Sequence, residues 1–415
     1  MPDLTQRSKY ADFSITSTAG EARTGELVVG EKKFETPMLF PVINFYGGGR
    51  KGSLFGGSTH RTVKELINGD DCVGGVSCSE YFPGSMLSVG SLTDYGISES
   101  LLKTYLEKPI SERPEFSGFE GLLFVDSGGF KNLSQGGLDG SDFQMELNQH
   151  RVFDMQRQLG GDILVNLDLP ITEDDTYEER IEKAKTTAEN AVEFARHTQS
   201  YPCAAYLSVH GYDYSMIDTF FEQVESVFGS LDLTEIFDGI ALGSLVPKKD
   251  NKSTLIEAIS GCKQVMAERG FENHPLHVLG ISGKSMPLLV GLGVDSFDSS
   301  SYIQAAINGK YYTSFLETER VDDVDLTKCD CPVCSSPLLR ERMKGNAEYR
   351  KDQMGPVAVH NMIIQQKELS RMRKLIQSGP EAFVDYLGNE LGRHRSVGRY
   401  AHDVVNKSFG GYDGI

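Results

Sequence analysis

Acidic residues stand directly after short apolar runs at three places in this chain. They are Asp126 in Phe-Val-Asp-Ser-Gly-Gly-Phe, Asp168 in Leu-Asp-Leu-Pro, and Asp298 in Phe-Asp-Ser-Ser-Ser. Two carboxyl groups near one bond suit attack at a sugar carbon, because one can act as nucleophile while the other carries a proton. Asp295 offers the same side chain as Asp298, and the sequence leaves open which of them faces a site. The structural alternative for each aspartate is capping of the turn or helix that follows.

Two of these segments also carry features of a pocket for a planar ring. Gly128 and Gly129 follow Asp126 and let a backbone approach a ligand closely, and Phe130 can lie flat against a ring. Asp168 has apolar neighbours, so its buried carboxylate needs hydrogen-bond donors. The N1–H and amino groups of a guanine-like edge would supply them. The pattern therefore predicts a base pocket beside the reacting carboxylates.

A group of thiols lies towards the end of the chain. Three cysteines fall within six residues: Cys329, Cys331 and Cys334. Together with His360 they satisfy tetrahedral Zn²⁺ with no open position, which makes such a site structural. His394 and His402 also lie downstream, and spacing alone leaves them open as the fourth ligand.

The elements that would position these residues alternate between short apolar runs and helical patterns. The predicted strands are residues 122–125, 163–167, 204–209, 237–242, 276–281 and 294–297. Apolar spacing predicts a helix over 178–196, and a second over 142–159 ends at a Gly-Gly pair. This alternation is typical of a parallel sheet, either open and doubly wound or closed into a barrel. Because only a barrel brings the strand-end acids to one mouth, we expect an α/β fold with a (β/α)8 TIM-like barrel.

The character of the sequence changes at about residue 320. Three aspartates precede the cysteines, and apolar residues at helical spacing then predict a long helix over residues 357–378. We therefore expect a catalytic barrel domain with an N-terminal extension over residues 1–320. A C-terminal zinc-binding subdomain with further helices is expected over residues 321–415.

Composition argues against several classes of protein. The chain has 415 residues, 39% of them hydrophobic, and no apolar run reaches the length of a membrane span. Seven cysteines are an odd number for a disulfide framework, and the first residues lack the apolar core of a signal peptide. We therefore expect a cytoplasmic protein with no membrane partner. The net charge of −18 argues against a wholly basic nucleic-acid binder but leaves room for a local basic patch.

Taken in order, these motifs resemble those of the tRNA-guanine transglycosylase superfamily over residues 35 to 378. The motifs are Asp126-Ser-Gly-Gly-Phe130, Gln156-Arg157 with Asp162 and Asp168, Phe297-Asp298, and the cysteine–histidine set. The resemblance implies a barrel with a zinc subdomain, and His360 as the fourth zinc ligand. It also implies that a guanine leaves its stack and is exchanged without ATP.

The resemblance further implies a role for each residue at the mouth. Asp298 would be the nucleophile that attacks C1′ of the target nucleotide, and Asp126 the general acid and base. The expected base-binding groups are Phe130 and Leu279 as ring walls, Asp168, His210 and Ser244, and the backbone at Gly239 and Ile240.

Departures from the family pattern concern the substrate. Ser244 stands where bacterial queuosine enzymes carry a glutamate, which suits 7-cyano-7-deazaguanine better than an aminomethyl base. His210 replaces the usual glutamine, the arginine-bearing run after Asp298 is missing, and the chain is too short for the RNA-binding PUA domain of archaeal enzymes. These departures favour the DpdA branch, which inserts 7-deazaguanine into DNA; the alternative is an enzyme acting on tRNA.

The family resemblance also bears on protein partners, and two other classes of function have to be weighed against it. A homodimer and a helper ATPase that opens the duplex are the expected protein partners. A catalytically silent nucleic-acid-binding subunit is a different class of hypothesis, and the presence of both Asp126 and Asp298 argues against it. An unrelated zinc-stabilised barrel hydrolase is another, and failure to bind any guanine analogue would favour it.

Overall fold

The N-terminal region forms a small antiparallel sheet. The computed structural model describes residues 9–43, 57–90, 99–129 and 147–410. Strands β1 (Ala11–Ala19), β2 (Ala22–Val29) and β3 (Lys32–Thr36) pair in this order. Leu27 and Val29 of β2 are buried in the same apolar cluster as side chains from inside the neighbouring barrel. This sheet therefore covers one end of the barrel.

Eight parallel strands form the main body of the fold. They are β4 (Met38–Pro41), β5 (Gly84–Ser88), β6 (Leu122–Asp126), β7 (Ile163–Val165), β8 (Ala204–His210), β9 (Gly239–Gly243), β10 (Leu276–Val278) and β11 (Ser296–Ser299). From β5 to β11 each strand pairs with the next in the chain, and β11 pairs with β4. A bridge between Val42 and Met86 joins β4 to β5, where Ile43 N donates to Met86 O at 3.2 Å. The sheet thus closes on itself, and the prediction of a TIM-like barrel is confirmed.

Helices alternate with these strands around the outside. They are α1 (Gly57–Asn68), α2 (Glu99–Leu106), α3 (Gln149–Gln158), α4 (Tyr177–Thr198), α5 (Tyr214–Phe228), α6 (Leu233–Ile236), α7 (Lys252–Glu268), α8 (Met286–Gly291) and α9 (Ser301–Ile307). The sequence locates α4 well because Thr176 and Glu179 form a capping box at its start and buried alanines follow at helical spacing. The helix predicted over residues 142–159 corresponds to α3, and residues 142–146 of that prediction lie outside the described residues.

Aromatic rings fill the inside of the barrel. Phe124 packs edge-on against Phe40, with 5.5 Å between ring centroids, and against Tyr206 at 5.7 Å. Gly239 gives Tyr206 its space, because a Cβ atom on that glycine would lie 2.6 Å from the phenol ring. A barrel filled in this way is a packed core rather than a pore, so its interior has no room for a ligand.

The C-terminal region packs on the outside of the barrel. It contains strands β12 (Lys310–Tyr312) and β13 (Thr318–Arg320), and helices α10 (Pro332–Ser335), α11 (Pro337–Met343), α12 (Arg350–Gln377), α13 (Pro380–Asp385) and α14 (Gly398–Phe409). Helix α12 contacts α1 and α9, and it starts earlier than the predicted residue 357 because it accommodates Pro356. Among the described helices, none combines the length and the apolar character that crossing a membrane requires.

Candidate functional site

Five polar side chains meet where the barrel strands end. This rim, called the mouth below, is defined by Asp126, Asp168, His210, Ser244 and Asp298. Asp126 and His210 are the last residues of β6 and β8, Asp298 lies within β11, and the other two follow β7 and β9. Since all eight strands are parallel, their carboxyl ends share one face of the barrel. The sequence analysis expected this convergence.

Asp126 sits at the mouth in an environment that favours its protonated form. Its Oδ2 accepts a hydrogen bond from Gly128 N at 3.0 Å. Removal from water, and then the negative charges of Asp168 and Asp298, raise the pKa of Asp126 to about 7. Hydrogen bonds from Ser88 and Gly128 act in the opposite direction but do not outweigh these effects. A carboxyl with this pKa can give up and take back a proton near neutral pH.

Asp298 is held by one of its two carboxylate oxygens. Gly280 N donates to Oδ1 at 2.6 Å, and His277 Nε2 lies 3.4 Å from the same atom. His277 Nδ1 is in turn 2.9 Å from Ser296 Oγ, which fixes the imidazole ring. Among the described residues, Asp298 Oδ2 has no hydrogen-bond partner. The carboxylate is thus oriented through one oxygen, while no described residue engages the other.

Asp295 immediately precedes strand β11, at the end of that strand away from the mouth, and has a different environment. Its two oxygens accept from Arg23 Nε at 2.9 Å and from Arg23 Nη2 at 2.7 Å, and Oδ2 also accepts from Leu276 N at 2.8 Å. Both partners of this ion pair are almost fully buried. The alternative that the sequence left open is therefore resolved: Asp298 faces the mouth, and Asp295 holds the N-terminal sheet to the barrel.

A hydrogen-bond network connects the loops after β7, β8 and β9. Asp168 Oδ1 accepts from Ser127 Oγ at 2.6 Å, and Asp168 Oδ2 lies 3.0 Å from His210 Nε2. On its other side, His210 Nδ1 is 2.9 Å from Ser244 Oγ, which also accepts from Ile171 N at 2.9 Å. An ionised carboxylate only accepts hydrogen bonds, so His210 Nε2 is the donor to Asp168; Ser208 Oγ lies 3.2 Å from the same nitrogen. The network fixes Asp168 on the rim of the pocket.

Ser244 has an unusual backbone conformation for a residue with a side chain. Its φ is +68°, and within the described part of the chain it is the one non-glycine residue with a positive φ. This conformation is strained for an L-residue, and such strain persists only when neighbouring contacts impose it. Here the hydrogen bonds to Ile171 and His210 impose it, so Ser244 acts as the junction of three mouth loops.

The expectation for Gly239 and Ile240 is wrong about their position. Gly239 pairs with Tyr206 and Ile240 with Leu207, at the start of β9, whereas the mouth end of that strand is Gly243 opposite His210. Gly239 lies four residue steps before Gly243, which is roughly 13 Å along the strand. The family resemblance assigned the base-reading backbone to the first residues of β9, which lie at the end of the strand away from the mouth. The backbone at the mouth belongs to Gly243 and Ser244.

The two ring walls expected from the sequence have different outcomes. Leu279 directly follows β10, its N donates to Leu242 O at 2.9 Å, and its side chain is only partly buried at the mouth. Its methyl Cδ1 lies 3.5 Å from where a Cβ on Gly243 would stand, so it borders the end of β9. Phe130 lies outside the described residues. Its role as a stacking ring stays a prediction.

His277 and Gly280 are contacts of the mouth that the sequence analysis did not assign. His277 lies within a predicted strand and is fully buried beneath Phe124, with 4.5 Å between ring centroids. Strand alternation gives a signal of its inward orientation, but its contact with Asp298 depends on the pairing of β10 with β11. Gly280 supplies a backbone N–H, which no side-chain pattern reveals.

Four side chains of the C-terminal region converge on one point and can hold a metal ion. His360 Nδ1 lies 3.6 Å from Cys329 Sγ, 3.4 Å from Cys331 Sγ and 3.5 Å from Cys334 Sγ. Sulfur and nitrogen ligands on one tetrahedral zinc lie about 3.5 Å apart, so these side chains fit that ion. His360 Nε2 bonds Tyr312 O at 2.9 Å, which leaves Nδ1 free for a metal. His394 bonds Ser396 instead, so His360 completes the cluster.

Comparisons with known proteins agree with this arrangement. The model of the family described as queuine tRNA-ribosyltransferase matches residues 104–387. The tRNA-guanine(15) transglycosylase of Pyrococcus abyssi is 25% identical over 386 residues, 91% of this chain and 56% of its own length. That of Aeropyrum pernix is 29% identical over 263 residues, 63% of this chain and 48% of its own length. The chain thus spans about half the length of these curated relatives. Since the family model covers more than half of the chain, this protein belongs to the queuine tRNA-ribosyltransferase family.

Proposed function

We propose that this protein exchanges a guanine of a nucleic acid for a 7-deazaguanine base through a covalent intermediate on Asp298. One observation carries the proposal: two carboxyls of different character share the mouth. Asp298 is oriented through Oδ1 by Gly280 N, while the pKa of Asp126 is raised to about 7. Enzymes that act at sugar carbons commonly use two carboxyls, one as nucleophile and one that holds the transferable proton.

The first half of the proposed reaction removes guanine. Asp298 Oδ2 attacks C1′ of the target nucleotide and forms an ester, while the bond between C1′ and N9 breaks. The electron pair of that bond leaves with the base, and protonated Asp126 supplies the proton that neutralises it. The second half reverses these steps: the incoming base gives a proton to Asp126, attacks C1′ and releases Asp298. Protons and bonds balance over the cycle, so no ATP is consumed.

Asp168 suits recognition of the guanine edge. A carboxylate has about four acceptor positions, and Ser127 and His210 occupy one on each oxygen. The remaining positions can accept the N1–H and the amino group of guanine or of a 7-deazaguanine. Adenine lacks these donors, and a buried acceptor left without a partner costs binding energy. We therefore assign base selection to Asp168, with His210 holding its orientation.

The nucleic acid and the incoming base are finer parts of the proposal. The names of the relatives support tRNA, since they describe exchange of a tRNA guanine. DNA, the substrate of the DpdA branch, is the second candidate because His210 and Ser244 replace residues of the tRNA pattern. Ser244 presents a neutral hydroxyl that its neighbours already engage, which favours an uncharged base such as 7-cyano-7-deazaguanine over a cationic one.

We propose Zn²⁺ as the metal of the cysteine–histidine cluster, with a structural role. Three thiolates and one imidazole leave no position for substrate, and zinc would supply only rigid coordination there. The contacts around it support this role: Tyr311 stacks on His360 with 3.8 Å between ring centroids, and its hydroxyl lies 3.3 Å from Cys334 Sγ. Metal would therefore fix the C-terminal region against the barrel rather than enter the chemistry.

The experiment that tests the function measures loss of radiolabelled guanine from tRNA and from duplex DNA in the presence of 7-cyano-7-deazaguanine. Wild type is compared with Asp298→Ala and with Asp403→Ala, a matched control on an exposed face of α14. Label loss that Asp298→Ala abolishes and Asp403→Ala retains supports the proposal. Loss from one nucleic acid alone identifies the substrate.

Absence of label loss from both substrates, with folded protein and with added base, would contradict the proposal. A denaturing gel provides an independent test, since the ester links protein to nucleic acid and survives until the second base arrives. Activity of the purified chain alone would remove the need for the expected helper ATPase. Sedimentation of the active species tests the expected homodimer.

A further inference from the structure

A second group of metal-ligating side chains lies on the outer surface of the barrel, between α3 and α4. His150 is at the start of α3, and Glu193 and His197 are one turn apart on α4. His150 Nδ1 lies 3.3 Å from His197 Nε2, and Glu193 Oε1 lies 3.7 Å from the same His197 atom. All three ligand atoms fall within 4.8 Å of one another. This group shares no residue with the mouth or with the cysteine cluster.

The distance between the two imidazole nitrogens has a simple interpretation. Zinc–nitrogen bonds of about 2.0–2.1 Å at a tetrahedral angle place two ligand nitrogens about 3.3 Å apart. The two histidines show this separation before any ion is considered. The spacing therefore fits two ligands of one ion.

The surroundings of the two rings are those of metal-bound histidines. Asp154 Oδ2 lies 3.3 Å from His150 Nε2, so a carboxylate stands behind the nitrogen that would not bind the metal. Such carboxylate–histidine–metal arrangements fix the ring and increase its basicity. Phe153 stacks on His197, with 5.0 Å between centroids and 14° between planes, which restrains the second ring.

We propose that His150, His197 and Glu193 bind a divalent transition metal of the zinc class, with water in the remaining position. The ligand set of two nitrogens and one carboxylate oxygen suits Zn²⁺, Ni²⁺ or Co²⁺ and disfavours Mg²⁺ and Ca²⁺, which take oxygen ligands. The site is open to solvent, because the side chains of His150 and Glu193 are 62% and 45% exposed. Binding would tie α3 to α4 and stabilise this side of the barrel.

The test titrates Co²⁺ into full-length protein whose cysteine cluster is already filled with zinc. A site without thiolate gives cobalt absorption that lacks the sulfur charge-transfer band, so the two sites are distinguishable by spectrum. We expect one further equivalent to bind in wild type and none in His150→Ala or His197→Ala. Asp154→Asn should weaken binding about 10- to 100-fold, as expected for a group behind a ligand. His402→Ala, an exposed histidine on α14, is the matched control.

Two outcomes would overturn the proposal. One is zinc-loaded wild type that binds no further equivalent of Co²⁺ at concentrations where simple imidazole complexes form. The other is a further equivalent that His150→Ala binds as tightly as wild type. The histidine variants should fold, because both side chains reach the surface, and circular dichroism checks this. Added Zn²⁺ should raise the melting temperature of wild type but not of His197→Ala, since only binding to the folded state shifts it.

Discussion

Asp295, which immediately precedes strand β11, and Asp298, which lies within it, are the same residue type in opposite circumstances. Asp295 is fully buried and gives both oxygens to Arg23. Asp298, three residues later, gives one oxygen to Gly280 N and keeps the other free of partners among the described residues. The two aspartates therefore differ by position. At the covered end of the barrel both carboxylate oxygens of Asp295 accept hydrogen bonds from the protein, whereas at the mouth only one oxygen of Asp298 has a partner among the described residues.

The largest effect is expected for Asp298→Asn. The amide keeps an acceptor for Gly280 N but cannot form the ester, so exchange should fall by at least about 10⁴-fold. The melting temperature should change little, because the anchoring hydrogen bond survives. Single-turnover release of labelled guanine measures the loss of exchange, and thermal unfolding measures the melting temperature. Retained exchange in a preparation free of deamidated protein would show that another residue is the nucleophile.

Asp126→Asn should lower exchange by about 10²- to 10⁴-fold, the usual contribution of a general acid–base group. Because the pKa of Asp126 is raised to about 7, the wild-type rate of guanine release should fall as pH rises through that value, where the acid loses its proton. The variant should lose this dependence. Equal pH profiles for wild type and variant would assign the proton to another group.

Asp126→Asn should also increase the stability of the folded protein, and by more at high pH than at low pH. The folded pKa of Asp126 lies above its unfolded value, so ionisation costs stability increasingly between about pH 4 and pH 7. Asparagine carries no charge and removes that cost. The variant should therefore gain more stability relative to wild type at pH 8 than at pH 5, as measured by denaturant unfolding at both pH values.

Asp295→Asn should lower the stability of the protein and leave its activity almost unchanged, which is the opposite of the result expected for Asp298→Asn. It leaves the Arg23 guanidinium buried without its counter-charge, which should cost about 3–5 kcal/mol of unfolding free energy. Exchange by the folded fraction should stay near wild type at low temperature. If activity fell in the folded protein by as much as in Asp298→Asn, the assignment of roles to the two ends of β11 would be wrong.

Ser244 gives the smallest and most specific effect. Ser244→Ala removes the hydrogen bonds to Ile171 and His210 while keeping the strained φ of +68°, whereas Ser244→Gly removes the same bonds and relieves the strain. The glycine variant should therefore be more stable than the alanine variant by about 1 kcal/mol. Both should raise the KM for the incoming base. Equal unfolding free energies would mean that the backbone there is not strained.

Sequence patterns were sufficient for the features that depend on local order. Apolar runs that end in an acid located Asp126 at the last residue of β6, and cysteine spacing located the metal cluster. They were insufficient where a role depends on strand pairing. Residue types and spacing could not tell Asp295 from Asp298, because both lie in one short run and only the direction of β11 separates them; the choice of Asp298 came from the family resemblance. For the same reason the sequence analysis misplaced Gly239 and Ile240 and missed His277.

The aromatic filling of the barrel has a kinetic consequence for the proposed base exchange. Phe124 and Tyr206 fill the interior and the N-terminal sheet covers the far end, so within the described part of the chain the carboxylates are reached from the mouth. The departing and the incoming base must then use one passage, at different times. Guanine has to leave before its replacement can enter, which predicts double-displacement kinetics: parallel lines in double-reciprocal plots when nucleic acid and free base are varied.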